Sequence, residues 1–203
     1  RKVLIYLTHK ISENPPRFNL KPENIENTKL LSNRNELLKL LPKNAIVAEL
    51  GVDQGEFSKQ ILSICQPKKL HLIDFWGSKR YNQNKKQKVF NQFKSQIDKE
   101  EIEINLGLST QVYNTFNNAY FDWIYIDTDH SYKTTKKELE LYAPKIKTGG
   151  FICGHDFITA NWNGLVKYGV IEAVYDFCLN NHWEIIYLTT ENDGNPSFAI
   201  RKK

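Results

Sequence analysis

Methionine is absent from the 203 residues and the chain opens on arginine, so its natural start is expected to lie upstream. Cysteine is scarce. Cys65, Cys153 and Cys178 are odd in number, far apart and set among apolar residues. That pattern builds no disulfide framework and reads as reduced core thiols in a cytoplasmic protein. No apolar run approaches the length that spans a bilayer, and no signal peptide is visible, so no membrane partner is expected. The G-x-G-x-x-G fingerprint of dinucleotide sites is missing too, because Asp53 stands where its middle glycine belongs. What remains is ordinary: 40% hydrophobic and 25% charged residues, which suit one soluble globular domain. The net charge of +5 reads as a lysine-rich wet surface.

The informative stretch runs from Ala45 to Ser58. Ala45-Ile46-Val47-Ala48-Glu49-Leu50 is an apolar, partly β-branched run that reads as a buried strand. Gly51 and Gly55 bracket a turn, and Phe57, Ile61, Leu62 and Ile64 then fall at helical spacing. A strand that feeds a helix through glycines offers free backbone N–H groups, and the glycines let a ligand approach the backbone. Glu49 is expected at the strand tip, where it accepts hydrogen bonds from ligand donors. Acidic residues at both Glu49 and Asp53 make a poor cradle for a pyrophosphate. They suit a ligand with a positive centre and an amine, such as S-adenosylmethionine.

Taken in order, residues 1–30 read as an N-terminal extension and 31–203 as the domain. The extension holds a short strand or helical turn over residues 2–8 and an irregular, proline-rich part. A helix is predicted over 32–41, capped by Ser32 or Asn33 and ended by Pro42. A second strand ends at Asp74, about twenty residues past the glycine turn, where an acid can accept from ribose hydroxyls. Val89, Phe90, Phe93 and Ile97 mark one face of a basic helix within 78–98. A third strand spans 102–109, followed by a short helix over 110–116. The fourth, Phe121 to Thr128, runs into Asp127-Thr128-Asp129-His130-Ser131-Tyr132. Three ionisable side chains within four residues are costly unless paired, hydrated or bound to a cation. Ser131 is placed to cap a helix over 132–142. Gly149-Gly150 turns into a fifth strand that ends in His155-Asp156. A helix over 170–179 and two strands, 183–188 and 196–200, joined by Asn192-Asp193-Gly194-Asn195, complete the chain.

This alternation predicts an α/β fold: a mostly parallel sheet with helices on both faces and a terminal hairpin that adds one antiparallel strand. Ligands in such sheets bind beyond the carboxyl ends of the strands. Glu49, Asp74, Asp127, Asp129, His155 and Asp156 all fall there.

Four segments together resemble the class I S-adenosylmethionine-dependent methyltransferases, and within them the family 24 branch of bacterial small-molecule and sugar O-methyltransferases. They are Glu49-Leu50-Gly51-Val52-Asp53-Gln54-Gly55-Glu56-Phe57-Ser58, Leu72-Ile73-Asp74-Phe75-Trp76, Ile126-Asp127-Thr128-Asp129-His130-Ser131-Tyr132 and Gly149-Gly150-Phe151-Ile152-Cys153-Gly154-His155-Asp156-Phe157. The resemblance covers residues 33 to about 180 and implies a Rossmann-like sheet of seven strands in the order 3-2-1-4-5-7-6. It implies that Glu49, Gly51, Gly55, Asp74, Ser109 and Asp127 hold the methyl donor. Ser109 would lie near the adenine, where relatives often carry an acid. Some relatives hold a divalent metal at the positions of Asp127 and Asp156, for which Mg²⁺ suits oxygen ligands.

The expected reaction is in-line transfer of a sulfonium methyl to a hydroxyl of a small polyhydroxyl acceptor. An alcohol needs a base or a metal to lose its proton. Asp129 or His130 would take it beside a metal, and His130 or His155 without one. Asp129 and Ser131 have an alternative role as helix caps, and Trp76, Tyr132 and Trp162 one as packing rather than pocket walls. Two other functions stay open. Lys79, Arg80, Lys85, Lys86 and Lys88 prompt a nucleic-acid methyltransferase, against which the N/D-P-P-Y motif of amino-methylating enzymes is absent. The other is a non-enzymatic cofactor-binding module. Oligomeric state is not legible.

Overall fold

The computed structural model describes residues 14–161, 166–191 and 194–203. The segment predicted over residues 2–8, Trp162, and Asn192 and Asp193 of the predicted turn lie outside the described residues.

The elements are β1 (Lys29–Leu31), α1 (Arg34–Leu40), β2 (Ile46–Leu50), α2 (Glu56–Cys65), β3 (Lys69–Asp74), α3 (Gln83–Gln92), α4 (Lys94–Asp98), β4 (Ile102–Leu106), α5 (Ser109–Val112), β5 (Phe121–Ile126), α6 (Tyr132–Tyr142), β6 (Ile146–Gly154), β7 (Ala160–Asn161), β8 (Val166–Lys167), α7 (Val170–Asn181), β9 (Trp183–Thr189) and β10 (Phe198–Lys202). The main sheet runs β4-β3-β2-β5-β6-β10-β9-β1. From β4 to β9 this is the predicted order, with β10 antiparallel to both its neighbours.

The expectation of seven strands is corrected to eight. β1 adds parallel to β9, Lys29 opposite Tyr187 through Leu31 opposite Thr189. Three residues are too few for alternation to register in a sequence. This strand straddles the boundary drawn at residue 30, and the segment before it is tied down. The buried Asn24 side chain donates to the Trp183 carbonyl at 3.0 Å, and the Thr28 hydroxyl donates to the Ile185 carbonyl at 2.7 Å.

Strand alternation divides the core in two. Val47, Leu70, Leu72, Trp123 and Tyr125 pack with Leu37, Leu38, Phe57, Ile61 and Val89 of α1, α2 and α3. Ala48, Leu50, Ile73, Ile124 and Ile126 pack with Leu139, Tyr142, Val174 and Phe177 of α6 and α7 on the opposite face. Central strands buried on both sides read as near-continuous apolar runs, which is why the sequence exposed them. The three cysteines are free and buried.

Local caps follow sequence chemistry. Asn33, not Ser32, caps α1, accepting from the N–H groups of Asn35 and Glu36. The basic helix predicted within 78–98 begins only at Gln83, capped by Asn82, and divides at Phe93 into α3 and α4. Among the described residues no helix is long and apolar enough to cross a membrane.

Candidate active site

Sheet pairing continues past the strand ends and fixes three tips side by side. The N–H of Gly51 donates to Ile73 O at 2.9 Å, that of Asp127 to Leu50 O at 2.8 Å, and that of His155 to Ile126 O at 2.9 Å. Gly51 has φ +88°, and a Cβ there would stand 1.9 Å from the Asp127 carbonyl oxygen. At Gly55, φ +80°, it would stand 2.8 Å from the Phe93 ring. Both glycines are thus required by the chain's own backbone conformation and packing, whether or not a ligand also approaches there.

Asp74 staples the glycine turn. Its Oδ2 accepts from the N–H groups of Val52 at 2.9 Å and Asp53 at 3.0 Å, and its Oδ1 from that of Trp76 at 2.9 Å. Oδ1, with one donor, keeps a second acceptor site, so a ribose hydroxyl can still be received there. The Asp53 carboxylate is paired with Lys85, and the Asp53 carbonyl accepts from the Trp76 indole at 2.8 Å. Trp76 is buried.

Glu49 points to the α2 side, where it is enclosed at 1% exposure instead of standing at the rim. The Ser58 hydroxyl donates to its carboxylate at 2.5 Å. Burial drives its pKa up to about 8 against that hydrogen bond, with the Asp127 charge adding to the rise. At neutral pH it is largely a neutral acid.

The tips of β5 and β6 carry the reactive cluster. His130 Nδ1 lies 3.0 Å from Asp156 Oδ2. His155 Nδ1 lies 3.6 Å from Asp127 Oδ2 and 3.5 Å from Asp156 Oδ1. Asn195 donates to Asp156 Oδ1. The Tyr168 ring packs on the His130 ring, centroids 4.9 Å apart. His130 and Asp156 both sit in the left-handed region, φ +62° and +56°, where side-chain-bearing residues are uncommon and cluster at functional sites.

The two carboxylates are driven apart electrostatically. Burial raises Asp127, opposed by His155 and His130. Burial also pushes Asp156 up, but the hydrogen bond and charge of His130, with His155 and Asn195, hold it below the usual range. Burial pushes His130 down, and is outweighed by the Asp156 hydrogen bond and by the charges of Asp156, Asp127 and Asp129, so its pKa is raised. A permanent anion, a tunable acid and a poised imidazole are the ingredients of proton transfer. One ligand atom each from Asp127, His130 and Asp156 also lie within 4.8 Å of one another, the spacing of a divalent cation's ligands.

Asp129 is not brought into this cluster. Its Oδ1 accepts from the Ser131 N–H at 2.9 Å and its Oδ2 from the Thr134 hydroxyl at 2.7 Å. The Ser131 hydroxyl in turn accepts from the Thr134 N–H at 3.1 Å and caps α6. Asp129 and Ser131 therefore build the helix start, the alternative weighed for them above. Tyr132 donates to Asp176 at 2.7 Å, joining α6 to α7.

Ser109 is likewise engaged within the protein. Its hydroxyl and that of Thr128 donate to the two oxygens of the fully buried Glu138, the second at 2.9 Å. Burial raises the Glu138 pKa to about 7, opposed by both hydrogen bonds. The sign follows from linkage. A carboxyl raised on folding costs nothing while protonated in both states, and costs stability as pH climbs from its unfolded value to its folded one. Glu138→Gln is therefore expected to flatten the fall in unfolding free energy between pH 5 and 7 by up to about 3 kcal/mol. Urea titrations across that range check it; an unchanged slope would contradict the buried-acid assignment.

Two contributors are not marked in the sequence: Tyr168 and Asn195. Neither lies at a strand tip, and only the fold brings them to the site.

A family model described as a methyltransferase domain matches residues 48–157. Among curated proteins none matches the sequence. Solved structures with the same fold include a Staphylococcus aureus protein assigned as a caffeoyl-CoA O-methyltransferase, at 18% identity and TM-score 0.57, covering 98% of both chains. A Streptococcus mutans protein assigned as a methyltransferase, solved with S-adenosylhomocysteine, is 14% identical at TM-score 0.59, covering 84% of this chain and 96% of its own. A Clostridium thermocellum protein assigned as an rRNA methylase is 11% identical at TM-score 0.62, covering 85% and 97%. At these identities the likeness is one of fold.

Proposed function

The chain belongs to the methyltransferase-domain family, and we propose that it moves a methyl group from S-adenosylmethionine to a hydroxyl of a small polyhydroxyl compound such as a sugar. The observation that carries this reading is the His130–Asp156 pair at 3.0 Å beside Asp127 and His155, directly beyond the glycine turn. When bound, the donor supplies an electrophilic methyl group, and the protein's share is to place and deprotonate the acceptor. The Gly51–Gly55 turn and Asp74 bind and orient the donor, and the buried Glu49 ties β2 to α2 beneath that turn through Ser58. Asp127 faces both the turn and the histidines. Asp156 holds the His130 ring through Nδ1, which leaves Nε2 to take the acceptor's proton. Asn195 keeps Asp156 in place.

A divalent cation fits the same residues. Two carboxylates and one imidazole suit Mn²⁺ as well as Mg²⁺, and the cation would acidify an acceptor hydroxyl. In that mode His130 is a ligand and His155 takes the proton. The protein is read as acting in the cytoplasm.

The test is calorimetry with S-adenosylhomocysteine, alone and with Mg²⁺, Mn²⁺ or EDTA, followed by product analysis on hydroxylated acceptors. Micromolar nucleoside binding and a methyl ether product are expected. No heat with the nucleoside refutes the reading. Turnover that EDTA leaves intact favours the metal-free mode; turnover that EDTA removes favours the metal-assisted one. Retention on RNA with steep salt dependence would turn the substrate class to nucleic acid.

A further inference from the structure

Arg34 opens α1, outside the stretch that the family model matches. Its guanidinium lies over the Phe57 ring, 4.5 Å from the centroid. Its charge reaches Glu49, Tyr125 and Asp127. It is half-buried, and among the described residues it forms no ion pair, although the lysines and arginine that pair elsewhere do so mostly on the surface. The residue is also held in place. Its backbone N–H donates to Glu191, whose other carboxylate oxygen is buried without a partner. A guanidinium fixed against a ring and outside any ion pair among the described residues can receive a ligand's carboxylate.

S-adenosylmethionine brings one. Its amino-acid end carries an α-carboxylate and an α-ammonium. The acids around the glycine turn suit the ammonium and the sulfonium but repel the carboxylate. We propose that Arg34 receives the α-carboxylate of the methyl donor, and so makes the site selective for nucleosides that keep the whole amino acid. The inference rests on the donor proposed above. Guanidinium suits the role because its planar fork matches a carboxylate with two parallel N–H donors.

Calorimetry on wild type and Arg34→Leu, with three thioether nucleosides, tests it. The three are S-adenosylhomocysteine, its decarboxylated analogue and 5′-methylthioadenosine, which lacks the amino-acid end entirely. Leucine keeps an apolar contact with Phe57, and a thermal melt checks that the variant folds. Arg34→Leu should weaken S-adenosylhomocysteine roughly ten- to a hundredfold, the range of a lost charge-assisted pair, and leave the other two within about twofold. Arg34→Lys should restore part of the loss. An equal loss for all three ligands means a structural role and overturns the proposal, as does no loss for any. If wild type binds none of the three, the proposed donor itself is wrong and the inference falls with it; that outcome is read before any variant is made.

Discussion

Gly51→Ala is expected to abolish donor binding and to cost the fold about 3 kcal/mol or more. Two independent effects add. At φ +88° an alanine is strained before any neighbour is considered. Its methyl would then stand 1.9 Å from the Asp127 carbonyl oxygen and 3.3 Å from the Thr128 nitrogen. Both are backbone atoms at the tip of β5, and that tip is anchored by the Asp127 N–H to Leu50 O bond. Relief requires β2 and β5 to part at the level of Asp127, which carries the reactive cluster with it. Gly194 is the control, since a Cβ there meets nothing within 4 Å. Denaturant melts and nucleoside calorimetry on Gly51→Ala and Gly194→Ala check the prediction. A Gly51→Ala protein as stable as wild type would show that the tips are not packed as described.

Asp156→Asn should lower turnover on the order of 10²- to 10⁴-fold while changing nucleoside affinity by less than about threefold, the signature of a group that acts on the acceptor. Asp156 is buried and receives its hydrogen bonds from His130 and Asn195. An amide keeps the shape and removes the charge. Because that hydrogen bond and charge are what raise His130, its pKa should drop. The acidic limb of the residual turnover profile should then move to lower pH, since a base must be neutral to act. If a metal is the agent, the same variant loses the metal's binding heat. Full activity in Asp156→Asn would remove the cluster from the chemistry.

The strand order was readable because each central strand is apolar on both faces and each ends in a residue that cannot stay buried unpaired. Leu72-Ile73-Asp74 and Tyr125-Ile126-Asp127 announce their own termini. β1 was not readable: Lys29-Leu30-Leu31 carries too little pattern, and its pairing with β9 lies far along the chain. At the site, residue type located the rim but not its internal hydrogen bonds. Nothing in Asp127-Thr128-Asp129 says which aspartate faces the histidines. The answer lies in the turn, where Asp129 accepts from Ser131 and Thr134. Glu138 was unreadable for a similar reason, because a charged residue on an amphipathic helix is ordinarily on its wet side.

β10, late in the sequence, occupies an interior place between β6 and β9. Until it inserts, β6 has an open flank and β9 has nothing to join it to the rest of the sheet. A folding chain that has not yet seated β10 therefore exposes two unpaired strand margins, through which unfinished molecules can pair with one another.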